Sequence, residues 1–393
     1  MINDRKTGSF QAFLLLTIVS VFWFSQYVYM PYQATYLSSA GIGSSWVGIV
    51  IGAYGFSQLV LRMPVGLMAD RRGRHKPFIM LGIISAGTAS LIRIFSPGGW
   101  GFLIANLLSG LASAMWISFM VLFFSYFHKE KMQKASGMVV AANNFGILLG
   151  FVTATLLHER FGMRLLCILS AAAAVPAFFL AMLIREPDIE FESLPVRDLI
   201  SVYSDKRLLV FSLLALIQQG VQLSTSMSFT TQVALSRGAE SWQIGLCSII
   251  YILTAVISSY FAASRTALKR GARFWIPVIM ICLAAYCILI PNLPSVEWIY
   301  LAQMLSGFST GILFSFCASE AMKNIPKEKR STAMGFFQAV YAIGMTTFPM
   351  LTGAITQASD IRTAFYSLAG IIAAGFAGAV FFYRTGRSVS ENN

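Results

Sequence analysis

Gln26, Tyr29 and Gln33 fall at i, i+3 and i+7 of one apolar stretch, which puts two amides and a phenol on one helical face. Gln218, Gln222 and Thr225 repeat the theme in a later stretch. Such groups donate and accept hydrogen bonds without carrying charge, so they suit an uncharged, zwitterionic or amphipathic organic solute. In hydrocarbon they are costly unless they face a cavity or another helix, and interhelical hydrogen bonding is their competing use. Further polar groups within apolar stretches are Asn106, Ser113, Trp116, Asn143, Asn144, Gln303, Thr310, Gln338 and Tyr341. Of sixteen Asp and Glu residues, Glu320 alone lies inside an apolar stretch, and none lies at the middle of one. Its expected partners are Arg265, Arg270 or Arg273, in a structural ion pair or a proton-coupling role. Arg62 sits about a turn inside its stretch, where it could attract an anion. Snorkelling to the interface or pairing with the basic loop beyond it is the expectation, and Arg93, near the end of its stretch, is expected to snorkel.

Hydrolytic and metal chemistry find little support. His158-Glu159 lacks the second histidine of a zinc-protease motif, and no Ser/His/Asp grouping is present. Cys167, Cys247, Cys282, Cys287 and Cys317 lie in apolar stretches without paired spacing, as small buried hydrophobes do. No enzyme activity, metal or cofactor is expected.

The elements that hold these residues are membrane helices. Of 393 residues, 56% are hydrophobic and 11% charged, against about a quarter charged in a soluble domain. Twelve apolar blocks stand out: 10–37, 46–68, 78–95, 100–127, 135–157, 165–184, 208–235, 244–262, 274–290, 298–321, 332–355 and 364–383. Each approximates the ~20 residues that a helix needs to cross a bilayer. Arg5 and Lys6 precede the first block, which is too long for the apolar core of a cleaved signal. The terminal tails and even-numbered loops hold 23 Lys and Arg, and the odd-numbered loops hold 4. The positive-inside rule then places both termini in the cytoplasm, with the chain in the cell (inner) membrane. The charge of +13 is scattered among short loops, which fits membrane topology and not nucleic-acid binding.

The two halves repeat. A shift of 198 residues lays Lys129-Glu130-Lys131 on Lys327-Glu328-Lys329, Gly146 on Gly344 and Arg72-Gly73 on Arg270-Gly271. A shift of 197 lays Ala105-Asn106-x-Leu108-Ser109-Gly110 on Ala302-Gln303-x-Leu305-Ser306-Gly307. A duplicated six-helix unit keeps both copies in one orientation, so their symmetry axis lies along the membrane normal. The expected organisation is a six-helix bundle over 1–184, a cytoplasmic linker over 185–207 and a second six-helix bundle over 208–393. The fold class is therefore all-α and polytopic, with twelve transmembrane helices in two pseudo-symmetric bundles.

Between spans 2 and 3, Gly66, Asp70, Arg71, Gly73 and Arg74 spell G-x-x-x-D-R-x-G-R. This loop resembles the signature of major facilitator superfamily transporters, and the repeat extends the resemblance over the whole chain. By that resemblance the loop is a conformational latch: Asp70 would meet the start of span 11 near Ser331 and Thr332, and so hold the outward-open state. The second copy keeps Lys269-Arg270-Gly271 but has Leu268 in place of the acid. The family's drug exporters carry G-x8-G-x3-G-P in span 5, packed against span 8. Gly137, Gly146 and Gly150 match, but Phe151 replaces the proline. The second copy, Gly335, Gly344 and Pro349, has Phe348 where the third glycine would stand.

The resemblance also implies that spans 1, 4, 7 and 10 line a central cavity, which makes the polar residues named above its candidates. The expected function is secondary transport of a small organic solute by alternating access. Efflux of drugs or metabolites is favoured, with uptake of a nutrient, chelator or organic anion as the alternative, and a membrane enzyme as the reading outside transport. The expected partners are the small-molecule substrate and the lipid bilayer, with protons open as the coupling ion and a monomer as the oligomeric state.

Overall fold

The computed structural model describes residues 2–72, 74–127, 132–186, 204–325 and 329–390. Among them the secondary structure is helix and turn, without a strand. The first span, α1, is Ile2–Tyr27 continued by Met30–Ser39; α2 is Ser44–Arg72 and α3 is Lys76–Phe95. Helix α4 joins Gly99–Ala114 to Trp116–Ser125. A helical run then spans Met132–Met182, and its arms on either side of Gly162 are α5 (132–161) and α6 (163–182). Helix α7 runs through Lys206–Ser224, a π-helical turn Thr225–Phe229, and Thr230–Ser236. The last five are α8 (Ser241–Ala262), α9 (Arg265–Leu289), α10 (Val296–Ala321), α11 (Arg330–Ala358) and α12 (Ile361–Ser390).

Among the described residues, 11 helices are long and apolar enough to cross a membrane. One of them, Gly137–Met182, has 46 residues, more than twice what one crossing needs. Gly162 breaks it with φ 69° and ψ −172°, a left-handed turn open to glycine, so it supplies two of the twelve expected spans. Gly271 breaks α9 in the same way (φ 68°, ψ 175°), close to where the apolar block over 274–290 was expected to begin. The linker over 185–207 lies mostly outside the described residues.

Packing repeats with the sequence. Helix α1 packs on α5, α2 on α4, and α3 on α4 and on the α5–α6 run; α7 packs on α11, α8 on α10, and α9 on α10 and α12. Each pairing in the first six helices thus recurs six helices later. The two sets meet mainly through α2 against α11 and through α5 against α8, contacts that are also related by a shift of six, with smaller contacts of α1 on α7 and α8. At the α2–α11 contact the backbones nearly touch: a Cβ on Gly48 would lie 2.2 Å from the Pro349 carbonyl oxygen. Small residues allow that approach where lipid gives no hydrophobic drive for helices to associate.

The first set is fastened at its loop ends by side chains. Glu186, past the end of α6, accepts from the backbone N–H groups of His75 and Lys76 at the start of α3. Lys76 Nζ returns to the carbonyls of Met182 (2.6 Å) and Ile184 (2.9 Å). An anion thereby caps one helix N-terminus while a cation caps a neighbouring C-terminus, each complementing the local dipole.

Candidate functional site

In the first set the polar groups converge on Arg93. Its Nη2 donates to Asn106 Oδ1 (2.7 Å) and Ser109 Oγ (2.9 Å), and its Cζ lies 3.9 Å from the Tyr29 ring centroid. Tyr29 Oη and Gln26 Nε2 both reach Ser109, at its hydroxyl and its carbonyl (3.3 Å each). Asn106 Nδ2 donates to the Val50 carbonyl at 2.7 Å. Arg93 was expected to snorkel, yet it is only 2% exposed. The antiparallel α3–α4 pairing sets acceptors from α4 beside it, which hold the Nη2 end of the guanidinium in place and weaken the drive toward the interface. Ser113, one turn beyond Ser109, hydrogen-bonds Tyr54 of α2 at 2.8 Å.

The second set builds the same knot without a charge. Gln303 Nε2 donates to the Ser226 carbonyl (3.1 Å), Ser226 and Ser306 share a hydroxyl–hydroxyl bond, and Tyr286 Oη donates to Gln303 Oε1 (3.3 Å). Tyr29, Asn106 and Ser109 become Ser226, Gln303 and Ser306 under the 197-residue shift. Tyr286 takes the place of Arg93 from one turn earlier, and also meets Thr230 at 2.7 Å. Ser226 and its neighbours lie in the π-helical turn of α7, a kind of irregularity that is frequent at functional sites.

Other candidates remain incompletely engaged. Gln218 Nε2 donates to Gln222 Oε1 at 3.0 Å, and Thr225 bonds back to the Val221 carbonyl. Gln33 Oε1, Gln218 Oε1, Gln338 Oε1 and the hydroxyls of Thr310 and Ser118 are buried with no hydrogen-bond partner among the described residues. Trp23 Nε1 on α1 is in the same position, with its ring 5.4 Å from Trp116 of α4. Asn143 and Asn144 are half-buried on α5.

Direct polar contacts between the sets gather at the helix ends away from the termini. Tyr32 of α1 stacks on His158 of α5 (centroids 3.7 Å, planes 4° apart). Both rings then bind Ser241 at the start of α8: Tyr32 Oη donates to its carbonyl (2.7 Å) and His158 Nδ1 bonds its hydroxyl (2.6 Å). Gln232 Nε2 of α7 donates to Ser38 Oγ at 2.8 Å, and Gln357 Oε1 of α11 accepts from Ser45 N at 2.9 Å. Deeper in the seam, Arg62 Nη1 donates to Tyr341 Oη at 2.5 Å and Nη2 to Gln58. Arg62 is 4% exposed and bonded across the seam, so it does not snorkel.

Glu320 pairs with Arg207 at the start of α7, whose Nε also donates to the Glu320 carbonyl (3.1 Å). The partner expected from the α8–α9 loop is displaced because α7 packs directly on α10. The glycine pattern also meets other neighbours than the exporter motif implies. A Cβ on Gly146 would lie 2.2 Å from the Ser20 carbonyl of α1, and on Gly344 2.1 Å from the Leu216 carbonyl of α7. Glycine spacing gives the small face of a helix but not the helix that faces it. In the basic loop, Gly73 lies outside the described residues, as do the side chains of Asp70, Arg71 and Ser331, while Arg74 is exposed. Among the described residues no cluster of His, Cys, Asp or Glu could hold a metal.

The architecture has close counterparts. The model of the Major Facilitator Superfamily matches residues 14–242 and 211–393. The chain belongs to that superfamily. It is 23% identical over 368 residues to the inner membrane transport protein YajR of Escherichia coli, covering 91% of this chain and 79% of the relative. It is 26% identical over 391 residues to the multi-drug resistance efflux pump PmrA homolog of Lactococcus lactis, covering 94% and 96%. The crystal structure of the nucleoside transporter NupG superposes with a TM-score of 0.74 at 14% identity, over 94% of this chain and 98% of that one. This superfamily chain is therefore a multi-pass membrane protein of a solute-transporting family.

Proposed function

We propose that this chain is a secondary carrier of small organic solutes in the cytoplasmic membrane, with both termini cytoplasmic and a monomer as the working unit. Residues 1–184 and 208–393 act as two bundles that rock about the α2–α11 and α5–α8 contacts, and residues 185–207 link them. The observation that carries this reading is the set of buried polar atoms without protein partners, contributed by α1, α4, α7, α10 and α11 from both bundles. Such atoms cost free energy unless a ligand or water meets them, so a membrane protein keeps them for a solute. Gln33, Gln218, Thr310 and Gln338 are the contacts assigned to that solute. Gln26, Tyr29, Asn106, Ser113, Thr225 and Gln303 hold the bundles internally and shape the walls.

In this conformation the clasp of Tyr32, His158 and Ser241 closes one end. By the positive-inside rule that end is extracytoplasmic, and the described state is assigned as the one closed on the outer side. Asp70 is assigned to the opposite latch, which forms when the bundles rock the other way. Glu320, held by Arg207, is assigned a structural role, and coupling to protons is left to acids outside the spans. Efflux is the favoured direction, since the similar PmrA homolog is named as an efflux pump.

Purified protein in liposomes is expected to move solutes from a mixed drug and metabolite panel under an imposed gradient. A panel that stays outside, at the rate of protein-free liposomes, contradicts the proposal. Asp70→Asn is expected to slow that transport at unchanged expression, and full transport by this variant would remove the latch.

A further inference from the structure

Among the described residues two arginines, Arg62 and Arg93, are buried inside the spans, and they stand differently toward the moving parts. Arg93 is held by α1, α3 and α4 of one bundle, and that environment travels with it. Arg62 is held across the seam. Its guanidinium bonds Gln58 on its own helix and Tyr341 on α11, and its Cζ lies 5.1 Å from the Tyr341 ring centroid. Its Nε has no partner among the described residues. A guanidinium stays protonated in a protein, so the seam holds a full positive charge whose partners are all neutral.

Among the described residues no carboxylate within the spans answers it. Glu320 is committed to Arg207, and Asp70 lies eight residues further along α2, about 12 Å along the helix axis. Tyr54 and Gln58 connect Arg62 to α4, through the Tyr54–Ser113 bond and the bond from Gln58 Nε2 to the Tyr54 carbonyl (3.4 Å). Tyr341 connects it to α10, its ring lying 6.0 Å from Phe314. The charge therefore stands between the wall helices of both bundles. Any rocking that parts α2 from α11 pulls Tyr341 from the guanidinium and removes one of its two side-chain acceptors.

Resting on the carrier reading above, we infer that Arg62 is the recognition group for an anionic moiety of the solute, a carboxylate, phosphate or sulfonate on an amphipathic organic body. Tyr341 stands in for the anion while the site is empty. A planar guanidinium freed of a phenol is a fork that matches such oxyanions, and the neutral amides of Gln33, Gln218 and Gln338 serve the uncharged remainder. Arg93 shares the partnerless Nε and the neutral surroundings; what sets Arg62 apart is that its Tyr341 bond crosses the seam and parts when the bundles move.

The test uses three solutes with the same ring and different charge: phenyl phosphate, phenyl-β-glucoside and phenyltrimethylammonium. Each is offered to liposomes holding wild-type protein, Arg62→Gln or Arg62→Lys, all checked for monodisperse elution beforehand. Wild type is expected to take up phenyl phosphate fastest. Arg62→Gln is expected to lower that rate about tenfold or more while sparing the glucoside, and Arg62→Lys to keep an intermediate rate. Loss of packing alone would slow all solutes together and leave their ratio unchanged. A wild-type preference for the cation or the glucoside, or an unchanged charge ratio in Arg62→Gln, overturns the inference and leaves the carrier reading standing. Movement of none of the three by wild type, where the wider panel also stays outside, removes the carrier reading and the inference with it.

Discussion

Asn106 and Gln303 occupy the same place in two copies of one polar knot, yet they do unequal work. Asn106 Oδ1 accepts from a charged guanidinium, whereas Gln303 Oε1 accepts from a phenol. Hydrogen bonds to charged groups contribute about 1.5–3 kcal/mol and neutral ones about 0.5–1.5. Asn106→Leu is therefore expected to lower the thermal midpoint in detergent clearly more than Gln303→Leu, and equal shifts would contradict the unequal roles. Neither substitution touches the seam, so the order of solute preference is expected to survive in both. The sequence already aligned these residues by its 197-residue shift, but the role of Arg93 was hidden. An arginine near the end of an apolar stretch has an inexpensive route to the interface, and only the pairing of α3 with α4 shows why it stays. Arg207 was missed as the partner of Glu320 for a similar reason. It stands at the far side of the linker in sequence and becomes a neighbour only through the α7–α10 contact.

Helices are the scale at which the sequence was most legible. Hydropathy placed all twelve crossings, and the charged loops kept count of them even where α5 and α6 run on as one 46-residue stretch. Gly162 marks that break, but a lone glycine in a polar loop carries no sign of its backbone angle. The caps between helices were not legible, because Glu186 reads as one more acid of the linker. In the fold it receives two N–H bonds from the start of α3 while Lys76 closes the end of α6. Glu186→Ala is expected to destabilise the protein by about 1–2 kcal/mol, measured as a lowered midpoint in detergent. An unchanged midpoint would mean that the cap adds nothing. Asp360 caps α12 in the same manner, its Oδ1 accepting from Thr363 N at 2.6 Å. Hydrogen bonds to Thr363 hold its carboxyl below the usual carboxylate range. The sign follows: a depressed value in the folded state gives stability that is present above the ordinary carboxylate range and lost as pH falls through the depressed one.

Across the whole molecule, pairing and repeat agree. Among the described residues the main helix pairings of the first six recur in the last six, and the two largest contacts between the sets exchange under the same shift. That symmetry allows the two sets to rock about α2–α11 and α5–α8, the motion on which the carrier reading depends. At the end away from the termini, Gln232 on α7 and Ser38 on α1 stand 2.8 Å apart across the seam. Cysteines placed at both positions (Ser38→Cys with Gln232→Cys) and joined by a short thiol-reactive linker would hold that end shut. Transport by the linked protein in liposomes, before and after cleavage of the linker, is the most direct measurement. The structure leads us to expect that linkage stops solute movement and cleavage restores it. Full transport with the linker in place would contradict the rocking of the two sets.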